Sequence, residues 1–324
     1  MKEAEQHRSE TESDPLPSKK ERREFLLGGK DYEMDRVKKM LKRTGTPFVD
    51  RNVTWEGAEI QSYQDDIDRI LDEGNTPVAV ELRGADQVDV VEEIDHHNEK
   101  SNRPASILQV LEKLNIEPSL VNRLAGANDS GYYPAMEAVV AEEIARLEQK
   151  YDQAGLDEAK KQQKLERAAK WMSILVEGVR RKDREAQGVT EEMEQEAKEA
   201  IEHAEKGPNG LMIVRLNGDR PSPVTDRLHY TWQDGKQNLV VICNQDKDMA
   251  EVWFFGRGDY SKSLRDHYLE VQEREKEHGT RVGNEYHTWG GGAGSGSAEQ
   301  DAFSAVVVRD PSEVIDFIIT TESK

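Results

Sequence analysis

The sequence predicts an α/β protein. We expect an N-terminal domain with a mostly parallel sheet flanked by helices, a helical connector, and a smaller α+β C-terminal domain. Short apolar runs alternate with segments of helical periodicity in the first third of the chain, which is the pattern of a parallel sheet. After Pro134 the chain becomes rich in Ala, Glu, Lys, Gln and Arg, and Gly207-Pro208-Asn209-Gly210 is its clearest break.

The N-terminal elements follow in order. Phe25–Leu27 predicts a first strand that ends at Gly28-Gly29. The spacing of Met34, Val37 and Leu41 then predicts an amphipathic helix. The remaining elements are strands at Thr46–Val49, Pro77–Leu82 and within Val88–Ile94, and a helix from Ile60 to Leu71 that Gly74 closes.

The second half divides into a helical segment and a mixed one. The helical segment has five predicted apolar anchors, which are Ile144, Leu147, Trp171, Ile174 and Leu175. Trp171 is expected to be a core anchor rather than a base-stacking platform. Beyond it we expect a helix over Ser261–His278 and strands at Leu211–Val214, Leu239–Ile242, Val252–Phe255, Ala305–Val308 and Val314–Ile319. The predicted parts are a disordered tail (1–24), an N-terminal domain (25–135), a helical connector (136–206) and a C-terminal domain (207–324).

Composition excludes several classes of protein. The 324 residues carry 65 acids against 45 Lys and Arg, a net charge of −20, and contain no apolar run of bilayer length. Met1–Arg23 has no apolar signal region, so a cytoplasmic location is expected. One cysteine, Cys243, excludes an intramolecular disulfide and a cysteine-built zinc site. The acid excess argues against a broad basic face for duplex DNA, while a local basic groove and a high-salt adaptation stay open.

The densest group of chemically active side chains is Glu92-Glu93-Ile94-Asp95-His96-His97-Asn98, at the end of a predicted strand. Imidazoles and carboxylates bind divalent metals, and the ends of strands in open α/β sheets are where sites form. A surface loop with two histidines is the simpler alternative. Other strand-associated positions also present carboxylates, which favours the metal site.

Four further acids belong to this argument. Asp31 and Glu33 follow the first strand, Glu81 lies inside an apolar run where an unpaired carboxylate is costly to bury, and Asp129 follows a predicted helix. Each has a structural alternative. Asp31 and Glu33 suit a helix N-terminus, Glu81 could pair with Arg83, and Asp129 could be a turn residue.

The order of these residues resembles the DHH phosphoesterase superfamily over roughly Phe25 to Met136. The resemblance implies a catalytic domain with two divalent metal ions, usually manganese, with magnesium as the alternative. By resemblance the metal ligands are Asp31, Glu33, Glu81, His96 and Asp129. The catalytic residues are Asp95, His96 and His97: Asp95 orients His96 or its neighbour, and His97 neutralises phosphoryl charge or assists the leaving group.

A glycine-rich stretch, Trp289–Gly296, resembles the substrate loop of the DHH-associated C-terminal domain. Consecutive glycines let backbone N–H groups converge on an anion, whereas the simpler alternative is a flexible linker. The implied substrate-binding residues are Gly290, Gly291, Gly292 and Gly294, with Arg257 as a further phosphate contact or a turn residue.

The expected function is a metal-dependent phosphodiesterase, a hydrolase that acts on short oligonucleotides or dinucleotides. The alternatives are a RecJ-like exonuclease of single-stranded DNA and a non-catalytic nucleotide-binding or interaction protein. The last rests on departures from the family pattern: Leu27 where many members have His, Glu at positions 33 and 81 where they have Asp, and Ala293 where many have His. A homodimer stays open, and no membrane partner is expected.

Overall fold

The structure is a computed structural model that describes residues 22–97, 100, 102–229, 238–245, 249–257, 261–264, 266–268, 270–271, 288–291 and 301–322. Most of the predicted tail, residues 1–24, lies outside the described residues. The chain forms two compact units. The first is the chain up to Gly29 together with Met40–Ile94, and the second is Lys30–Lys39 together with Asp95–Lys324. No helix among the described residues is long and apolar enough to cross a membrane.

The first unit contains a four-stranded sheet that is parallel, as the sequence predicts, with the strand order β2-β1-β3-β4. The strands are β1 (Arg23–Leu27), β2 (Phe48–Asp50), β3 (Thr76–Val80) and β4 (Glu92–Ile94). Helix α2 (Gln64–Asp72) packs Ile67 and Ile70 against Leu26 and Ala79 of the sheet, because these apolar residues fall on one helical face.

Helix α1 (Tyr32–Thr44) follows β1, and a helical region occupies the middle of the chain. It contains α3 (Ser106–Lys113), α4 (Leu120–Gln153), α5 (Glu158–Ala186) and α6 (Glu191–Glu202). Gly155 and Gly188 have positive φ and follow the ends of α4 and α5. Helix α4 packs on α5 through Tyr133 and Met136, which meet Val176 and Val179.

The prediction that Trp171 and Ile174 are core anchors is wrong. Trp171 is 53% exposed and Ile174 is 63% exposed, whereas Met172 and Val176 on the opposite face of α5 are buried. The sequence carries apolar residues on both faces of this helix. Packing on α4 buries only one of them.

The C-terminal sheet has six strands in the order β5-β6-β7-β8-β10-β9. They are β5 (Glu205–Lys206), β6 (Met212–Leu216), β7 (Leu239–Gln245), β8 (Met249–Arg257), β9 (Thr288–Gly291) and β10 (Asp301–Val308). Only the β6–β7 pair is parallel among these described strands, so this sheet is mixed. A short helix, α7 (Ser222–Arg227), follows β6. Residues 261–264, 266–268 and 270–271 are helical, and the remainder of the helix predicted up to His278 lies outside the described residues.

The predicted strand Val314–Ile319 is wrong, because this segment belongs to a helix, α8 (Pro311–Glu322). Val314 and Ile318, one helical turn apart, are both buried in the core of the C-terminal sheet. Asp310 accepts the Ser312 N–H at 2.9 Å, which satisfies a donor of the first turn. Packing and this capping bond override the β-branched composition.

Candidate metal centre

His96 lies between two acids in the second unit, and its side chain is buried. Its Nε2 atom is 2.7 Å from Asp129 Oδ2 and 3.6 Å from Glu33 Oε2. The three side chains come from the segment after β4, from α4 and from α1. Within this unit, the structure therefore brings together three of its four predicted metal ligands.

His97 lies beside this group. Its Nε2 is 3.7 Å from Asp129 Oδ2, and its ring centroid is 4.5 Å from that of His96. His96, His97 and Asp129 each offer one ligand atom, and these atoms lie within 4.8 Å of one another. Two imidazoles and a carboxylate at this separation can converge on a divalent ion.

Asp95 orients His97, which is one of the two roles that the sequence left open for it. Its Oδ1 accepts the backbone N–H of His97 and faces the ring Nδ1, both at 3.0 Å, while Lys100 Nζ is 3.4 Å from Oδ2. Burial raises the pKa of the Asp95 carboxyl, but the His97 hydrogen bonds and the Lys100 charge outweigh it. The pKa therefore lies well below its usual range.

Asp31 and Glu33 each use one oxygen at a helix N-terminus. Asp31 Oδ1 accepts the Met34 N–H at 2.7 Å and caps α1. Glu33 Oε1 accepts the Ile107 N–H at 3.0 Å, at the first turn of α3. The helix-terminus role is thus real for both acids. For Glu33 it coexists with the contact of Oε2 with His96, because a carboxylate has two oxygens to offer.

Asp129 lies in the last helical turn before the backbone of α4 is broken at Gly131 and Tyr132, whereas the sequence placed it just after that first helix. Gly126, one turn earlier, allows the close approach of α4. A Cβ at that position would be 2.7 Å from the Ala105 Cβ and 3.5 Å from Glu33 Oε1. Helical spacing then places Asp129 on the same face, where it meets His96. Just beyond it, Tyr132 has φ 52 and interrupts the helical backbone.

Glu81 belongs to the first unit, directly after β3. It is buried and has φ 53, a conformation that costs a non-glycine residue about 1–2 kcal/mol. Its N–H donates to the Ile94 carbonyl at 2.8 Å, and Asp95 is the next residue along the chain. Gly28 is required beside it, because a Cβ there would be 2.3 Å from the Glu81 carbonyl oxygen. Strain of this kind is typical of functional sites, and the role of Glu81 as a ligand stays a prediction.

The predicted alternative for Glu81 was a pair with Arg83. The Arg83 guanidinium instead bonds Glu59 at 3.1 Å and the Trp55 carbonyl at 3.0 Å. Both Arg83 and Glu59 are largely exposed, so this pair belongs to the surface.

The donor set fits a divalent cation. Glu33 is buried and Asp129 is half-buried, and both approach the same imidazole. Two carboxylates in so small a volume favour a positive charge between them. Imidazole nitrogens and carboxylate oxygens are the ligands that first-row divalent metals take in proteins.

Sequence reasoning missed a charged network behind the acids. Buried Arg180 donates to Asn128 Oδ1 at 2.6 Å, to Asp183 at 3.1 Å and to Asp226 at 2.7 Å. Asn128 is the neighbour of Asp129 in α4, so the network fixes the helix at the site. A signal existed: Arg180 and Asp183 follow Met172, Val176 and Val179 on the apolar face of α5.

The predicted substrate residues of the C-terminal part are only partly described. Gly290 and Gly291 lie in β9 rather than in a loop, because they pair with β10 opposite Ser304 and Phe303. Arg257 is the last residue of β8, and Gly292 and Gly294 lie outside the described residues. Their role in substrate binding stays a prediction.

No protein-family model matches the chain, and no curated protein matches it. Among solved structures, the chain is similar to RecJ from Thermus thermophilus in complex with Mg²⁺, at 13% identity and a TM-score of 0.39. The match covers 93% of this chain and 49% of that one, so the chain spans about half the length of that protein. The function proposed below therefore rests on the residues of the site.

Proposed function

We propose that the protein is a metal-dependent phosphodiesterase that hydrolyses short oligonucleotides or dinucleotides. The observation that carries this proposal is the contact of His96 with both Asp129 and Glu33, beside His97. The resemblance of Asp95-His96-His97 to the DHH signature supports the reaction class, and the geometry supports a metal site of the kind this reaction needs.

The proposed metal ligands are His96, Asp129 and Glu33, joined by Asp31 and Glu81. When bound there, a pair of divalent ions, manganese by resemblance, would supply Lewis-acid charge and lower the pKa of water. The protein side chains would hold the ions in position. Glu33 is held by the first turn of α3, and Asp129 is held by α4.

His97 is the side chain that we propose meets the substrate. It is 39% exposed at its side chain, against 5% for His96. The Asp95 carboxylate holds its Nδ1, which leaves Nε2 to face the site. The Asp95 carboxylate, whose pKa lies well below its usual range, is placed beside Nδ1, where it would stabilise positive charge on the ring. A protonated ring can neutralise a phosphoryl oxygen or donate to the leaving oxygen.

A non-catalytic nucleotide-binding protein is the second candidate, favoured by one observation. Leu27, where many DHH proteins have His, is fully buried in β1 and offers no ligand atom. The RecJ-like exonuclease alternative, a cytoplasmic location and a homodimer stay predictions.

The first test is metal binding. Manganese titration by calorimetry should show binding in the wild type and a loss of at least about tenfold in affinity in His96→Ala, since a metal ligand is removed. His203→Ala is the matched control, because His203 is exposed directly after α6. Equal affinity in all three proteins would refute the site.

The second test is hydrolysis. The panel contains a labelled RNA dinucleotide, an RNA pentamer, single-stranded DNA, a cyclic dinucleotide and pyrophosphate, with manganese present. Cleavage that disappears in an Asp95→Ala, His96→Ala double variant would establish the phosphodiesterase, and the preferred substrate would give the class. Manganese binding without cleavage of any substrate would favour the non-catalytic protein.

A further inference from the structure

One face of α5 exposes both cations and large apolar groups. Lys164, Arg167, Trp171 and Ile174 follow one another at spacings of three, four and three residues, which places them on one side of the helix. All four lie toward solvent, and Trp171 and Ile174 are among the most exposed large apolar residues of the described chain. We call this surface, with the adjacent Lys170, the 164–174 face.

The cations of this face differ from the other cations of α5. In the part of the chain that the structure describes, Lys164, Arg167 and Lys170 form no ion pair within 4.0 Å. Elsewhere on α5 the cations are paired: Lys161 with Asp152 at 2.9 Å, and Lys182 with Glu185 at 2.6 Å.

The acids of α5 that flank the face are engaged elsewhere. Glu166 accepts the Gln162 amide at 3.2 Å, and Glu177 accepts the Tyr133 hydroxyl at 3.2 Å. Lys164 in turn lies over the ring of Tyr151, with Nζ 5.6 Å from its centroid, which adds a second aromatic group. In a chain of net charge −20, three cations that pair with no acid among the described residues, around an exposed tryptophan, call for an anionic partner.

We infer that the 164–174 face binds single-stranded nucleic acid. Lys164, Arg167 and Lys170 would contact phosphates, and a base would stack on Trp171, since a cationic groove with aromatic platforms is how such strands are held. The face is about 15 Å long at the rise of an α-helix. Stacking on Trp171 needs an unpaired base, which favours a single strand over duplex DNA.

A protein partner is the less favoured occupant. Trp171 and Ile174 alone provide far less apolar area than a stable protein interface buries, whereas the row of cations suits a polyanion. The inference rests on the proposed phosphodiesterase function for the identity of the polymer. It extends that function from short oligonucleotides to longer single strands.

The test is binding of the full-length chain, in EDTA so that hydrolysis cannot occur, to labelled DNA and RNA single strands of about 20 nucleotides. Fluorescence anisotropy would report affinity over a range of salt concentrations. Trp171→Ala should weaken binding about 5- to 150-fold, which corresponds to the loss of one stacked base. The triple change Lys164→Gln, Arg167→Gln, Lys170→Gln should reduce the slope of log affinity against log salt by about two.

The matched control is Arg181→Gln, Lys182→Gln, which removes two exposed cations of the same helix that are already paired with Glu185. It should leave affinity within about twofold of the wild type, since these cations already have an acid to balance them. Circular dichroism of every variant would show that the helix is intact, as expected for exposed positions.

Three outcomes would overturn the inference. They are no binding by the wild type, unchanged affinity in both variants of the face, and dissociation of a dimer by Trp171→Ala in sedimentation without any effect on nucleic acid. The last would mark the face as a contact between protein chains. Because binding is measured without metal, a loss of binding in the variants would support this inference even if the protein hydrolyses no substrate. Hydrolysis of dinucleotides without strand binding would refute this inference and leave the proposed function intact.

Discussion

Replacement of Arg180 by methionine should destabilise the protein by about 3 kcal/mol, because removal of one member of a buried ion pair costs about 3–5 kcal/mol. Arg180 is buried and bonds Asn128, Asp183 and Asp226. Methionine retains much of the apolar packing of the side chain, so the loss is mainly the charge. The lower end of the range applies because Asp226 keeps its contact with Arg184.

The cost should depend on pH through Asp183. Burial raises the pKa of this carboxyl, and the charge of Arg180 opposes that effect. Without Arg180 the folded-state pKa rises further above the unfolded value of about 3.9. The loss of stability caused by the ionised Asp183 is complete above the pKa of this carboxyl in the folded state. It vanishes below the pKa of the same carboxyl in the unfolded state. The deficit in the free energy of unfolding should therefore be largest near pH 8 and shrink as the pH falls toward about 4.

Urea denaturation followed by circular dichroism would measure this at pH 8 and pH 5. The double variant Arg180→Met, Asp183→Asn should recover part of the loss at pH 8, because it removes the unbalanced carboxylate. Arg181→Met is the control. Arg181 is exposed and its pair with Glu185 is 3.7 Å long, so a change within about 0.5 kcal/mol is expected. An equal deficit at both pH values, with no recovery in the double variant, would show that Arg180 acts by packing alone.

Two further predictions concern packing. Gly126→Ala should cost about 1–3 kcal/mol and weaken manganese binding, because the new methyl group would force α3 and α4 apart. The same change at Gly178 meets nothing within 4 Å and should stabilise α5 by up to about 1 kcal/mol, so equal effects in urea titrations would contradict the reasoning. Cys243 is buried in β7, and burial raises the pKa of its thiol, so a disulfide reagent at pH 8 should label it only after unfolding. Rapid labelling of the native protein would show that β7 is open.

Local pattern was sufficient for most of the fold. The run Phe25–Leu27 before Gly28-Gly29 identified β1, because apolar runs closed by glycine are local features of the chain. The helical spacing of Met34, Val37 and Leu41 identified α1 in the same way. The acids and imidazoles of the site could be named by their order along the sequence.

The sequence pattern was insufficient where a segment fitted both a strand and a helix, or where one helix carried apolar residues on two faces. Val314–Ile319 has the β-branched composition typical of a strand, but it also has apolar residues one helical turn apart. The segment is helical because those residues pack on the C-terminal sheet. Trp171 and Val176 are both apolar residues of α5, and contact with α4 buries Val176 while Trp171 stays exposed.

The sequence by itself determined most of the elements, the single cysteine, the acid excess and the residue types of the candidate metal site. Tertiary structure decided that Glu33, His96 and Asp129 meet, that Asp95 holds His97, and that Arg180 lies buried behind Asn128. The physical reason is that backbone hydrogen bonds and side-chain periodicity act over a few residues. The contacts of the site join elements that are distant in the chain, and only the packing of those elements brings them within a few ångströms.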